Sequence, residues 1–124
     1  MSPLPLNQLK IYQLNREYSR GGWQIYERLT WEIIKTMGDQ MIRSIDSVGA
    51  NIAEGYGRYH YLDKIKFYYN ARGSLFESKY WLDLKYERKI IESGCYLALM
   101  NLYQNIVKGL NGLISSNYRT KFSS

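Results

Sequence analysis

Past Pro5 the sequence contains no proline; both of its prolines lie within the first five residues. The strongest helix breaker is therefore missing from everything downstream. Over the same stretch apolar residues recur at helical intervals rather than in alternation, so the chain reads as helix almost throughout. Ile11, Leu14, Tyr18, Ile25 and Leu29 mark a first stripe. Met37, Met41, Ile45, Val48 and Ile52 mark a second, spaced 4, 4, 3 and 4. Ile65, Tyr68, Leu75 and Leu82 mark a third. Leu99, Tyr103, Ile106, Leu110 and Leu113 mark a fourth, whose 4, 3, 4, 3 spacing is that of a coiled-coil seam.

These stripes predict four helices at about residues 7–29, 32–54, 61–87 and 94–114, in a single domain of 124 residues. Residues 115–124 read as a disordered polar and basic tail. Short joins between four helices imply an all-α, antiparallel up-down-up-down bundle. Local signals refine the ends. Asn7 is a candidate N-cap. Gly21-Gly22 should weaken the first helix by roughly 1 kcal/mol per glycine and could bend it. Gly55 stands where a left-handed C-terminal residue closes the second helix. Asp63 complements the dipole at the start of the third.

Composition removes several function classes. The single Cys, Cys95, excludes an internal disulfide and a Cys-rich zinc module, and reads as a half-buried packing residue. The single His, His60, excludes a multi-histidine metal site, and with Gly57 three residues before it no Glu-x-x-His pair exists. No metal or other cofactor is expected. No basic start followed by an apolar run opens the chain, and Ser93 to Val107, its longest charge-free stretch, is too short and polar to span a bilayer. The expectation is a soluble cytoplasmic protein with no membrane partner.

Charge offers the clearest functional hint. Seventeen Lys and Arg against eleven Asp and Glu give +6. Residues 1–60 hold seven basic and six acidic residues, and residues 61–124 hold ten and five. Arg58, Tyr59 and His60 form a basic and aromatic loop, followed by Lys64 and Lys66, with Lys85, Arg88 and Lys89 further on. Interleaved cations and rings can contact phosphates and stack on bases, so these eight residues are the candidate nucleic-acid contacts. The bland alternative is a solvated basic surface. Between Ser93 and Tyr118 the only charge is Lys108, and a solvent-facing helix ordinarily has a charged back. That helix is expected to be covered on two sides, as in a homo-oligomer.

A polar stripe runs beside the second apolar one: Ser44, Ser47, Asn51 and Glu54. Asn70, Ser74 and Glu77 run along the third helix. Facing each other across an interhelical groove, they would need Arg43, Arg58 or Arg72 between their carboxylates. A carboxylate pair for acid–base work is one reading. No nucleophile accompanies it, so the stripe reads as a structural network of Arg43, Asn51, Glu54, Arg72 and Glu77, with no catalytic residues.

Gln40 and Arg43, then Ser47-Val-Gly-Ala-Asn-Ile-Ala-Glu-Gly-Tyr-Gly-Arg58, then Ala71-Arg-Gly-Ser-Leu-Phe-Glu77, resemble the four-helix-bundle family, also called the 23S rRNA intervening-sequence protein family. The resemblance runs from Leu9 to Leu113. It implies an antiparallel four-helix bundle assembled as a homopentamer, with no known enzymatic activity. It also implies a link to RNA, since the family takes its name from reading frames inside bacterial 23S rRNA genes. A distant relative, the accessory protein of diversity-generating retroelements, is a basic pentamer that contacts a reverse transcriptase and nucleic acid. Five copies of this chain would carry about +30. The resulting expectation is a non-enzymatic oligomeric bundle that binds RNA or other nucleic acid through a basic surface. The alternative is a protein-interaction scaffold or accessory subunit that binds no nucleic acid.

Overall fold

The computed structural model describes residues 4–123, with four long helices and no strand among them. A single 3₁₀ turn, Leu6–Gln8, leads into α1, Lys10–Glu27. α2 is built from three segments, Trp31–Ile33, a π-helical turn at Ile34–Gly38, and Asp39–Gly57. α3 spans Tyr61–Glu87 and α4 spans Ser93–Ser123. Each helix packs on the next, and α4 closes the ring against α1.

Close approaches fix the antiparallel register. Gly22 lies against Ile45 and Gly49 against Asn15 between α1 and α2. Gly55 lies against Tyr68 between α2 and α3. Tyr96 donates to Asp83 (2.6 Å) and Arg72 to Asn111 (2.9 Å) between α3 and α4. Gly109 sits on Ile11 and Gly21 on Leu99 between α4 and α1. Ile11, Tyr18, Met41, Ile45, Val48, Ile52, Ile65, Tyr68, Leu75, Leu82, Leu99, Ile106 and Leu110 share one core. Across its diagonal the hydroxyls of Tyr18 and Ser78 meet at 2.7 Å, leaving no buried hydroxyl of this pair unpaired.

Four local expectations change. Asn7 caps no helix: it lies within the 3₁₀ turn, and α1 has Leu9 at its N-cap with no side-chain bond. Gly21-Gly22 does not bend α1, which runs unbroken through both residues. A Cβ at Gly21 would come within 2.5 Å of Leu99 Cδ2, and one at Gly22 within 2.6 Å of Ile45 Cδ1. The pair therefore lets α2 and α4 approach α1 closely, and their packing offsets the propensity cost. Gly55 is not a left-handed cap: it is buried inside α2, no glycine has positive φ, and the helix ends at Gly57 with Arg58 extended. Residues 115–123 continue α4 as helix instead of forming a loose tail, while Ser124 lies outside the described residues. α3 is long, and α4 must run on to cover its first turns. Ile114 is buried there, and Asn117 and Thr120 donate back to Leu113 and Ser116 carbonyls.

α3 stops in a Schellman motif. Ile90 N–H bonds to Lys85 O (2.8 Å) and Lys89 N–H to Tyr86 O (3.1 Å). Lys89 carries φ of 60°, the left-handed position where glycine is usual. Lys89→Gly is expected to raise stability by about 0.5–1 kcal/mol, because relief of the left-handed strain exceeds the added chain entropy. Urea denaturation reads the change. An unchanged or lowered midpoint would show that the lysine side chain offsets the strain.

Candidate nucleic-acid interface

The loop between α2 and α3 holds the first candidate contacts. Arg58 leaves the helix in extended conformation, and His60 caps α3 through its backbone alone. Arg58 pairs with the Glu54 carboxylate one turn back, and its guanidinium lies 4.7 Å over the Phe67 ring. Tyr59 is 89% exposed and makes an edge contact with the His60 ring at 5.1 Å. Lys66 is exposed on the first turns of α3, 5.8 Å from the Phe67 centroid. An open depression of about 510 Å³ runs along Tyr59, His60, Tyr61, Leu62 and Asp63.

The structure brings Arg58, Tyr59, His60 and Lys66 together at one end of the bundle. Lys64 stands behind them. Its ammonium donates to Tyr56 O (2.8 Å) and Gly55 O (3.4 Å), so it caps the C-terminus of α2. Partial burial lowers its pKa from the ordinary lysine value. Arg88 and Lys89 are exposed at the far end of α3, a helix of 27 residues and so about 40 Å long. They cannot share a compact contact with the loop. Lys85 is no surface contact at all. It is fully buried and donates to Met37 O at 3.0 Å, the carbonyl lying within the π-helical turn of α2. A lysine stem at a core position reaches that carbonyl, which the spacing alone did not signal.

The predicted five-residue polar network does not form as one unit. Glu54 pairs with Arg58, half exposed. Asn51 donates to the carbonyl of Ser47 on its own helix (2.8 Å). Arg72 reaches Asn111 on α4, and Glu77 is exposed and accepts from Trp81 Nε1 (3.1 Å). Arg43 is exposed. The two carboxylates share no groove: Gly55, next to Glu54, lies at the level of Tyr68, and Glu77 is nine residues, about 14 Å, further along α3. Cys95 is exposed at the start of α4, not half-buried. Among the described residues no cluster of three His, Cys, Asp or Glu could hold a metal ion, and no helix is long and apolar enough to cross a membrane.

Sequence reading passed over two features. Asp83 accepts from both Lys79 and Tyr96 at 2.6 Å, a bond that pushes the Tyr96 hydroxyl up to about 12. Tyr69 is hydrogen-bonded to Tyr118 and carries the Arg72 guanidinium 4.8 Å over its ring. The spacing of Tyr69 from Phe76 and Tyr80 on α3 was the available signal for the second.

A basic antiparallel four-helix bundle with exposed aromatic residues is the class these observations define. The chain belongs to the 23S rRNA-intervening sequence protein family, whose model matches residues 7–112. It is similar to a crystal structure of a protein of unknown function from the S23 ribosomal protein family of Bacteroides thetaiotaomicron VPI-5482. The two are 25% identical with a TM-score of 0.75, over 84% of this chain and 97% of that one. No curated protein sequence matches the chain.

Proposed function

We propose that this protein is a non-enzymatic homopentameric bundle that binds RNA or other nucleic acid through a basic surface, in the cytoplasm. The observation that carries the reading is the exposed loop cluster of Arg58, Tyr59, His60 and Lys66, in which cations and rings alternate in reach of one ligand. Phosphate contact and base stacking need that combination, and neither depends on sequence. The wider charge supports it. Six of the seventeen Lys and Arg have no acidic counterpart anywhere in the chain, and internal pairs such as Arg58–Glu54 and Lys79–Asp83 leave that excess of +6 unchanged. The family's name, which ties it to intervening sequences of 23S rRNA, is the remaining support.

Filter binding of a structured RNA across a salt series tests the proposal. Affinity should fall steeply as salt rises, and Lys66→Ala should weaken binding and lower the salt slope by about 1 for each phosphate that Lys66 neutralises. Tyr59→Ala should weaken binding while leaving that slope intact. Absence of binding at low salt would overturn the reading, and retention of a defined protein after nuclease treatment would favour a scaffold instead.

A further inference from the structure

α3 is apolar on two opposite faces. Its inner face is the core stripe of Ile65, Tyr68, Leu75 and Leu82. Its outer face carries Leu62, Lys66, Tyr69, Gly73, Phe76 and Tyr80, spaced 4, 3, 4, 3 and 4. Leu62, Phe76 and Tyr80 are 51%, 51% and 57% exposed. A seven-residue repeat of large apolar residues is the pattern by which one helix packs knobs against another helical surface, and nothing in the bundle covers this one. The ridge leans toward α4, since Tyr69 is bonded to Tyr118 and Arg72 to Asn111. The adjoining surface of α4 is almost free of charge, with Leu97 exposed near its start.

The opposite side of the bundle has the complementary shape. Between α1 and α2 runs an open groove of about 710 Å³, floored by Gly49, Ala50 and Ala53 and flanked by Arg16, Arg20 and Asp46. Asn15 lines it as well. That side chain is only 2% exposed, and its Oδ1 is the one buried side-chain oxygen or nitrogen without a hydrogen-bond partner among the described residues. A buried acceptor left unsatisfied is costly, and a donor arriving in the groove would pair it.

We infer that the aromatic ridge on the α3/α4 side of one copy seats in the α1/α2 groove of the next. The occupant is a second copy of this chain because ridge and groove match in form and charge. The ridge brings Arg72 against a groove bearing Glu27 and Asp46, while Glu77 beside the ridge meets Arg16 and Arg20. The face offered by two helices about 40 Å long and about 20 Å across together is on the order of 800 Å², the area per partner that a stable interface buries. Two different surfaces on opposite sides of one molecule make a head-to-tail contact, which builds a ring where the rotation between copies closes. This inference rests on the oligomeric part of the proposed function and identifies the surfaces that build it.

Light scattering coupled to size exclusion, on the full chain at micromolar concentration, tests the assignment. Tyr80→Asp disables the ridge, and Ala50→Arg, at an exposed position, blocks the groove; Ala53→Arg serves as a second groove variant. With helicity confirmed by circular dichroism, each variant alone should run as a monomer. An equimolar mixture of a ridge variant and a groove variant should give a two-chain species, because one intact ridge and one intact groove remain. The inference is overturned if both groove variants keep the wild-type assembly, if the mixture stays monomeric, or if the wild-type protein is itself a monomer. RNA binding is scored separately, so an intact assembly that ignores RNA defeats the functional reading alone.

Discussion

Gly55→Ala should destabilise the protein by about 1–3 kcal/mol, the range of overpacking in a well-filled core. A Cβ at this position would stand 2.8 Å from Tyr68 Cε1 and 3.0 Å from Phe67 Cβ. Tyr68 is fixed in the core and the Phe67 Cβ is rooted in α3, so neither can swing aside as a flexible chain end would. The helices must separate instead, and the gap would pass along the seam to Ile52 and Ile65. Gly57, two residues on in the same helix, makes the control. A Cβ there meets nothing within 4 Å, so Gly57→Ala should leave stability unchanged or raise it by about 0.5 kcal/mol through helix propensity. Urea denaturation of the two variants in one buffer gives the comparison. Equal midpoints would refute the close approach of α2 and α3 at Gly55.

That contrast also explains what the sequence could and could not reveal. The all-α class and the four helices follow from apolar spacing because each helix buries one stripe, and the spacing records the stripe directly. The Asn-Ile-Ala-Glu-Gly run was visible as a motif, yet its physical content differs from the spacing argument. Asn51 bonds its own helix, Glu54 pairs with Arg58 at the surface, and Gly55 opens room for Tyr68. A glycine that ends a helix and one that admits a neighbouring ring look the same in a one-dimensional reading. Only the packing partner distinguishes them. The candidate interface was legible in part for a related reason. Arg58, Tyr59 and His60 are consecutive, so a loop exposes them together, whereas Lys85, Arg88 and Lys89 lie almost as close in sequence but fall on the two sides of a helix end. Lys85 faces the core and the other two face water.

Stability should rise as pH increases from about 8 toward 10, and Lys85 is the main reason. The amine is buried, has no carboxylate partner among the described residues, and makes a single bond to Met37 O. Loss of water, and secondarily the positive charge of Arg88, push its pKa down from 10.5 to about 8. Between those values the unfolded chain holds a proton that the folded chain has released, so raising pH favours the folded state. The gain is present above 10.5 and is lost as pH falls through about 8, with a magnitude on the order of 2–3 kcal/mol. Tyrosines act in the opposite sense at the upper end. Burial raises the hydroxyls of Tyr18 and Tyr68, the latter to about 12, so the unfolded chain loses those protons first and stability declines above pH 10. The wild-type protein should therefore be most stable between about pH 9 and 10. Lys85→Met keeps the apolar stem but removes the titrating group and the donor to Met37. Near pH 7 the two effects roughly cancel, since an ion no longer has to be buried while the bond to Met37 O is lost, at about 1–3 kcal/mol. At pH 9.5 most of the ionic cost is gone from the wild type while the lost bond to Met37 O remains, so the variant should be the less stable by about 1–2 kcal/mol. Urea titrations from pH 7 to 10 on both proteins give the two curves. A variant that climbs as steeply as the wild type between pH 8 and 10 would place the main titrating group elsewhere, since Lys64 alone supplies only a smaller rise of the same sign.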